Sequence, residues 1–188
     1  MSELRLPPGV VGNREVKSND PITADKLWHR FRRTENFGKP VTSSRTFQIG
    51  TRAKVGGTAG FVVGAADNLP YVATLPASQS GSTLVIPIDG LNVGDVITGF
   101  RVVGQVESGG NTVTVDGELR ATTNVAADPT DASIGAMTQV SVTADTAMSQ
   151  SKTGLTEIVT SGKTYYLKIT ATTAGSTDII LQACEITV

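Results

Sequence analysis

Residues 111–123 read NTVTVDGELRATT. Apolar and polar side chains alternate along them, and a period of two is the mark of a strand with one face buried and the other in water. The same pattern returns at residues 137–146 (MTQVSVTADT), 164–173 (TYYLKITATT) and 178–188 (DIILQACEITV). From residue 112 onward there is no His and no Trp, and the single Cys is Cys184. So regular a body with so few catalytic side chains points to a shape and a surface rather than to bond chemistry.

Working back from that stretch, residues 95–106 (DVITGFRVVGQV) form a long strand that is partly apolar on both faces, which suits a central position. Gly109 and Gly110 in the SGGN segment supply the positive φ of a tight turn, which predicts a hairpin into residues 111–123. FVVGA at 61–65, YVATLP at 71–76 and STLVIPI at 82–88 add three strands, with Pro87 pushing the end of the last one to an edge or bulge. Residues 124–136 (NVAADPTDASIGA) read as a loop around Asp128-Pro129. About eight strands with turns at regular intervals predict an all-β fold, a jelly-roll-like antiparallel β-sandwich spanning residues 61–188. The last residues are themselves in strand pattern, so Val188 is expected in a sheet.

Residues 1–60 read as an N-terminal arm. Pro7, Pro8, Gly9 and Gly12 open it. One short helix is expected within residues 21–36 (PITADKLWHRFRRTEN), with Thr23 as its cap, Asp25 in its first turn and Arg30, Arg32 and Arg33 at the end that favours cations. Leu27, Trp28 and Phe31 give that helix an apolar side. Residues 50–60 (GTRAKVGGTAG) are glycine-rich and read as a hinge or crossing segment.

The chain has 188 residues, 39% of them hydrophobic, and a net charge of −1. That near-neutrality hides a split. Residues 1–60 hold 11 Lys/Arg against 5 Asp/Glu, a balance of +6, and residues 61–188 hold 5 against 12, a balance of −7. A basic arm beside an acidic body fits either self-assembly or an acidic partner. For the arm helix three readings stand: docking on a protein, a solvated face, or phosphate contacts to nucleic acid. Trp and Arg dominate protein hot spots, so Leu27, Trp28, Arg30, Phe31, Arg32 and Arg33 are taken as interface residues, with nucleic acid the less favoured partner.

Catalytic and metal chemistry finds little support. Gly162-Lys163-Thr164 lacks the upstream glycine of a phosphate loop, since Glu157 stands there, and it leads into a strand. His29 is the single histidine, and one His with one Cys falls short of a zinc site. Asp128 and Asp131 are ordinary turn carboxylates before they are calcium ligands. Asp116 and Glu118 share a strand face with Arg120, which reads as a solvated row with a local ion pair rather than a glycosidase pair. A lone Cys184 in strand context is a small buried hydrophobe. No catalytic residue, cofactor or metal is expected, and the chain is read as a non-enzyme. The first residues lack a basic stretch followed by an apolar one, and no run of about 20 apolar residues crosses a membrane, so synthesis in a cytosol-like compartment is expected.

The segments at 95–123, 130–146 and 162–188 together resemble a β-rich structural protein of tailed bacteriophages, over residues 82 to 188. A small jelly-roll-like body with an arm is similar to capsid decoration (cement) proteins. The resemblance implies a virion structural protein on the capsid surface that binds the major capsid protein and stabilises the lattice, a homotrimer made in the host cytoplasm. The alternative is a tail- or fibre-associated module that binds a host-surface glycan. Exposed aromatics discriminate, because sugar platforms need them, and the body offers Phe61, Tyr71, Phe100, Tyr165 and Tyr166.

Overall fold

A computed structural model describes residues 43–66, 69–124 and 129–188. The arm helix expected at 21–36, with Leu27, Trp28, Arg30, Phe31, Arg32 and Arg33, lies outside the described residues.

The body is an antiparallel β-sandwich of two six-stranded sheets. In chain order the strands are β1 (Ser44–Gln48), β2 (Lys54–Val55), β3 (Val62–Ala66), β4 (Leu69–Leu75), β5 (Ser82–Pro87), β6 (Val96–Glu107), β7 (Val113–Thr123), β8 (Thr130–Ala136), β9 (Val140–Val142), β10 (Thr146–Ile158), β11 (Lys163–Thr172) and β12 (Asp178–Thr187). One sheet runs β10-β6-β12-β4-β3, with β1 also on β12. The other runs β2-β5-β11-β7-β8, with β9 also on β7. For brevity these are the β6 sheet and the β7 sheet.

The alternation of residues 111–123 is kept in three dimensions. Val113, Val115, Gly117, Leu119 and Ala121 are buried, and the even-numbered residues between them face outward. Leu167 and Ile169 of β11 and Leu84 and Ile86 of β5 join them from the same sheet. Across the sandwich they meet Ile97, Phe100, Val102 and Val106 of β6 and Ile179, Leu181, Cys184 and Ile186 of β12. In β12 the buried set switches from odd to even numbers, because a register shift between Leu181 and Ala183 lets Gln182 bulge out. Burial pushes the Cys184 thiol up to about 12, with the Glu185 charge adding to it, so it behaves as the expected inert hydrophobe. Val188 pairs with Ser43 through two backbone hydrogen bonds of 2.8 and 2.9 Å.

Four strands stand where none was expected. Strand β1 pairs with β12 from Ser44↔Thr187 to Gln48↔Ala183, and β2 pairs with β5. Phe47, Ile49 and Ala53 are buried in the core, and a single helical turn, Ile49–Arg52, links the two strands. Strand pairing therefore starts at Ser44, ahead of the expected start at Phe61. The glycines at 50–60 mark tight packing as well as turns. Strand β8 occupies the expected loop, and β10 was not anticipated at all. Both are edge strands of small polar residues, and in β10 only Met148 and Leu155 are buried, so no alternation shows in the sequence.

The SGGN turn is not a hairpin. Gly109 and Gly110 do adopt positive φ, 51° and 82°. But β6 pairs with β10 and β12 whereas β7 pairs with β11, β8 and β9, so the turn carries the chain from one sheet to the other. The long strand β6 is central, as its two apolar faces require. Pro87 lies on an open edge, because β2 covers only Leu84 and Val85 of β5.

The charge split also changes with the boundary. Residues 1–42 carry 8 Lys/Arg and 5 Asp/Glu, a balance of +3, and residues 43–188 carry 8 and 12, a balance of −4. Arg45 reaches Asp95 at 3.8 Å, and Arg52 pairs with Asp89. Part of the expected arm's positive charge is thus answered within its own sandwich.

Candidate functional site

The outward face of the β7 sheet is a ladder of hydrogen-bonding side chains. Register fixes who faces whom: Tyr166 opposite Arg120, Lys168 opposite Glu118 and Thr170 opposite Asp116. On the other flank of β7, Ser133 stands opposite Arg120 and Asp131 opposite Thr122. Arg120 is the hub. Its Nη1 donates to Glu118 Oε2 at 2.7 Å and its Nε to Asp131 Oδ2 at 2.9 Å, and the Tyr166 hydroxyl donates to Asp131 Oδ1 at 2.7 Å. Farther along, Gln139 Nε2 donates to Asp116 Oδ2 at 2.9 Å.

The hub's protonation states are held by these contacts. Burial pulls the Glu118 carboxyl upward, but hydrogen bonds from Ser133 and Arg120 and the charges of Arg120 and Lys168 outweigh it, leaving it below the usual carboxylate range. The hydrogen bond to Glu118 is the largest influence raising the Arg120 guanidinium. Burial, then the bond to Asp131, raises the Tyr166 phenol. A glycosidase acid needs a carboxyl pushed up, toward the protonated form at neutral pH. Glu118 is pushed the other way, and with Arg120 it forms the local ion pair that its spacing implied.

On the other, inward side of the β7 sheet, where its edge strand β8 faces β10, a cleft of about 300 Å³ opens, lined by Ala121, Thr123, Ala132, Ser133, Ile134, Thr156, Glu157 and Lys163. Two bulges make it. The β7–β8 register shifts between Leu119 and Arg120, which pair with Gly135 and Ser133 and leave Ile134 as the extra residue. The β10–β6 register shifts between Thr153 and Glu157, with Gly154 at φ 73°. This second bulge tucks Leu155 inward over Gly135, where a Cβ would meet the Leu155 side chain at 2.7 Å. Glu157 Oε1 is fixed by Lys163 Nζ at 2.9 Å and by the Tyr165 hydroxyl at 3.0 Å.

Of the aromatics named from the sequence, Phe61, Phe100 and Tyr165 are buried. Tyr166 stands half-buried on the ladder, and Tyr71 is 52% exposed on the other sheet. Asp131 serves Arg120 and Tyr166, while Asp128 and His29 lie outside the described residues. No group of three His, Cys, Asp or Glu that could hold a metal occurs among the described residues. Nor is any helix among them long and apolar enough to cross a membrane. Sequence reasoning paired Glu118 with Arg120 and named Asp131, Tyr166 and Glu157 in other connections, but did not bring them to these sites. The outward place of Tyr166 in an alternating run was legible, but its partners, on two other strands, were not.

No family model matches the chain, and no curated protein matches it. Some solved structures are similar over most of the chain, at low identity. A carbohydrate-binding module of family 36, solved with calcium and xylotriose, is 15% identical with a TM-score of 0.46, covering 76% of this chain and 98% of its own. The CBM22-2 xylan-binding domain of Paenibacillus barcinonensis Xyn10C is 12% identical with a TM-score of 0.48, covering 78% and 99%. The C-terminal CBM6 of the laminarinase LamC from Zobellia galactanivorans is 12% identical with a TM-score of 0.46, covering 78% and 100%. Each is a carbohydrate-binding module.

Proposed function

We propose that this sandwich is a non-catalytic glycan-binding module that holds a neutral oligosaccharide across the outward face of β11, β7 and β8. The observation that carries the reading is the Arg120 hub. A guanidinium offers about five N–H donors and an ionised carboxylate about four acceptor positions. Arg120, Glu118 and Asp131 therefore orient one another and keep donors and acceptors to spare, which is what a polyhydroxylated ligand needs. The charges on the face nearly balance, with Asp116, Glu118 and Asp131 against Arg120 and Lys168. That suits a neutral chain and disfavours nucleic acid, whose phosphates would meet three carboxylates.

The test is calorimetric titration of the full chain with xylohexaose, cellohexaose, laminarihexaose and β-1,4-galactotriose. At least one should bind. Arg120→Ala should weaken it roughly 10- to 100-fold, the value of one or two hydrogen bonds to a charged group. Binding by none, or no loss in Arg120→Ala, overturns the reading.

A second reading keeps the virion structural role, with an arm that docks on the capsid of a particle. The basic balance of residues 1–42 favours it. Exposed ion pairs are worth only about 0–1 kcal/mol each, so apolar burial would have to carry the assembly. On this reading the full chain sediments as a homotrimer at micromolar concentration and stays so in moderate salt. A monomer under those conditions removes the support for it.

A further inference from the structure

We infer that the cleft between β8 and β10 is a second subsite for one neutral sugar ring, separate from the ladder and on the other side of β7 and β8. The inference goes beyond the glycan-binding reading of the outward face, because the cleft would take a single ring by itself.

Four observations support it. The volume, about 300 Å³, is at the small end of ligand clefts, enough for one ring and not for a polymer. The floor is cleared by small side chains, Ala121 and Ala132, while Thr123 and Thr156 bring hydroxyls and Glu157 a carboxylate. Lys163 and Tyr165 both approach Glu157 through Oε1, so the carboxylate is oriented before any ligand arrives. Finally, the cleft lies where two independent bulges face each other, one on the edge of each sheet. Bulges re-aim side chains and gather beside binding sites. Without these two, Ile134 and Thr156 would not stand where they do.

One carboxylate among hydroxyls, with a lysine already paired to it, suits an uncharged polyol better than an anion. An anion would face Glu157, and the neutralising Lys163 is already engaged.

The experiment is a pair of titrations of the full chain followed by amide chemical shifts. D-xylose, D-glucose and D-galactose are each added at millimolar concentration, and the hexasaccharides named above are added separately. At least one monosaccharide should shift amides clustered at residues 121–123, 132–134, 156–157 and 163. Ala132→Phe, which fills the cleft from an exposed edge position, should abolish those shifts. Glu157→Gln, nearly isosteric, should weaken them at least tenfold with the rest of the spectrum unchanged. If no monosaccharide shifts these amides, or Ala132→Phe leaves the shifts intact, the subsite is refuted, even where a hexasaccharide binds the face. If the monosaccharide shifts appear and vanish in Ala132→Phe while no hexasaccharide binds, the subsite stands and the face reading falls.

Discussion

A fragment of residues 61–188 should fail to fold, whereas residues 43–188 should give a cooperative β-rich protein. The shorter fragment lacks β1, so β12 loses one of its two partners from Ala183 to Thr187 and keeps only β6 there. It also lacks Phe47 and Ile49, which are 6% and 0% exposed. Burial of a large apolar side chain stabilises by about 1.5–3 kcal/mol, so these two contribute roughly 3–6 kcal/mol. The lost ladder, and the opened core beneath Cys184 and Ile186, add to that. Domains of this size hold only about 5–15 kcal/mol in total. Circular dichroism and thermal melting of the two fragments decide the matter. A 61–188 fragment melting cooperatively within a few degrees of 43–188 would show that residues 43–60 are dispensable, as a hinge would be.

Gly50→Ala should be the most damaging single-methyl change in that segment. A Cβ at Gly50 would fall on the backbone of Tyr71 and Val72 rather than on a side chain that can swing away. Tyr71 is already held at φ 68°, a left-handed conformation that costs a non-glycine residue about 1–3 kcal/mol and persists only where packing enforces it. Overpacking typically costs about 1–3 kcal/mol, and a backbone clash belongs at the upper end. For a domain of this length that lowers Tm by roughly 6–12 °C. Gly57→Ala is the control, because a Cβ there meets nothing within 4 Å. A hinge would tolerate both changes alike. Packing predicts a large drop for Gly50→Ala and almost none for Gly57→Ala, and equal melting temperatures would refute it.

Residues 43–60 read as arm and hinge from the sequence because of their glycines. The stretch contains Gly50, Gly56, Gly57 and Gly60, and glycine carries two opposite meanings: freedom of the chain, or room for another backbone to approach. Sequence shows the missing side chain but not the neighbour that needs the space. Similarly, β10 could not be read. An edge strand that buries only Met148 and Leu155 among Ser, Thr, Gln and Gly has no period to detect.

The sequence by itself determined what is local. The alternation in residues 111–123, 164–173 and 178–188 settled the strands, the all-β class and, in β7 and β11, which side chains face the core, because a period of two depends only on neighbours along the chain. It also placed Asp116, Glu118 and Arg120 on one face, since residues two apart on a strand share a side. Tertiary structure alone decided which sheet each strand joins, that residues 108–111 cross between sheets, and that Asp131 and Tyr166 converge on Arg120. It alone set the two bulges that open the cleft at Glu157. Each depends on pairing between strands distant in sequence. Register there is chosen by how both faces pack together, and a shift of one residue would exchange the ladder for the core.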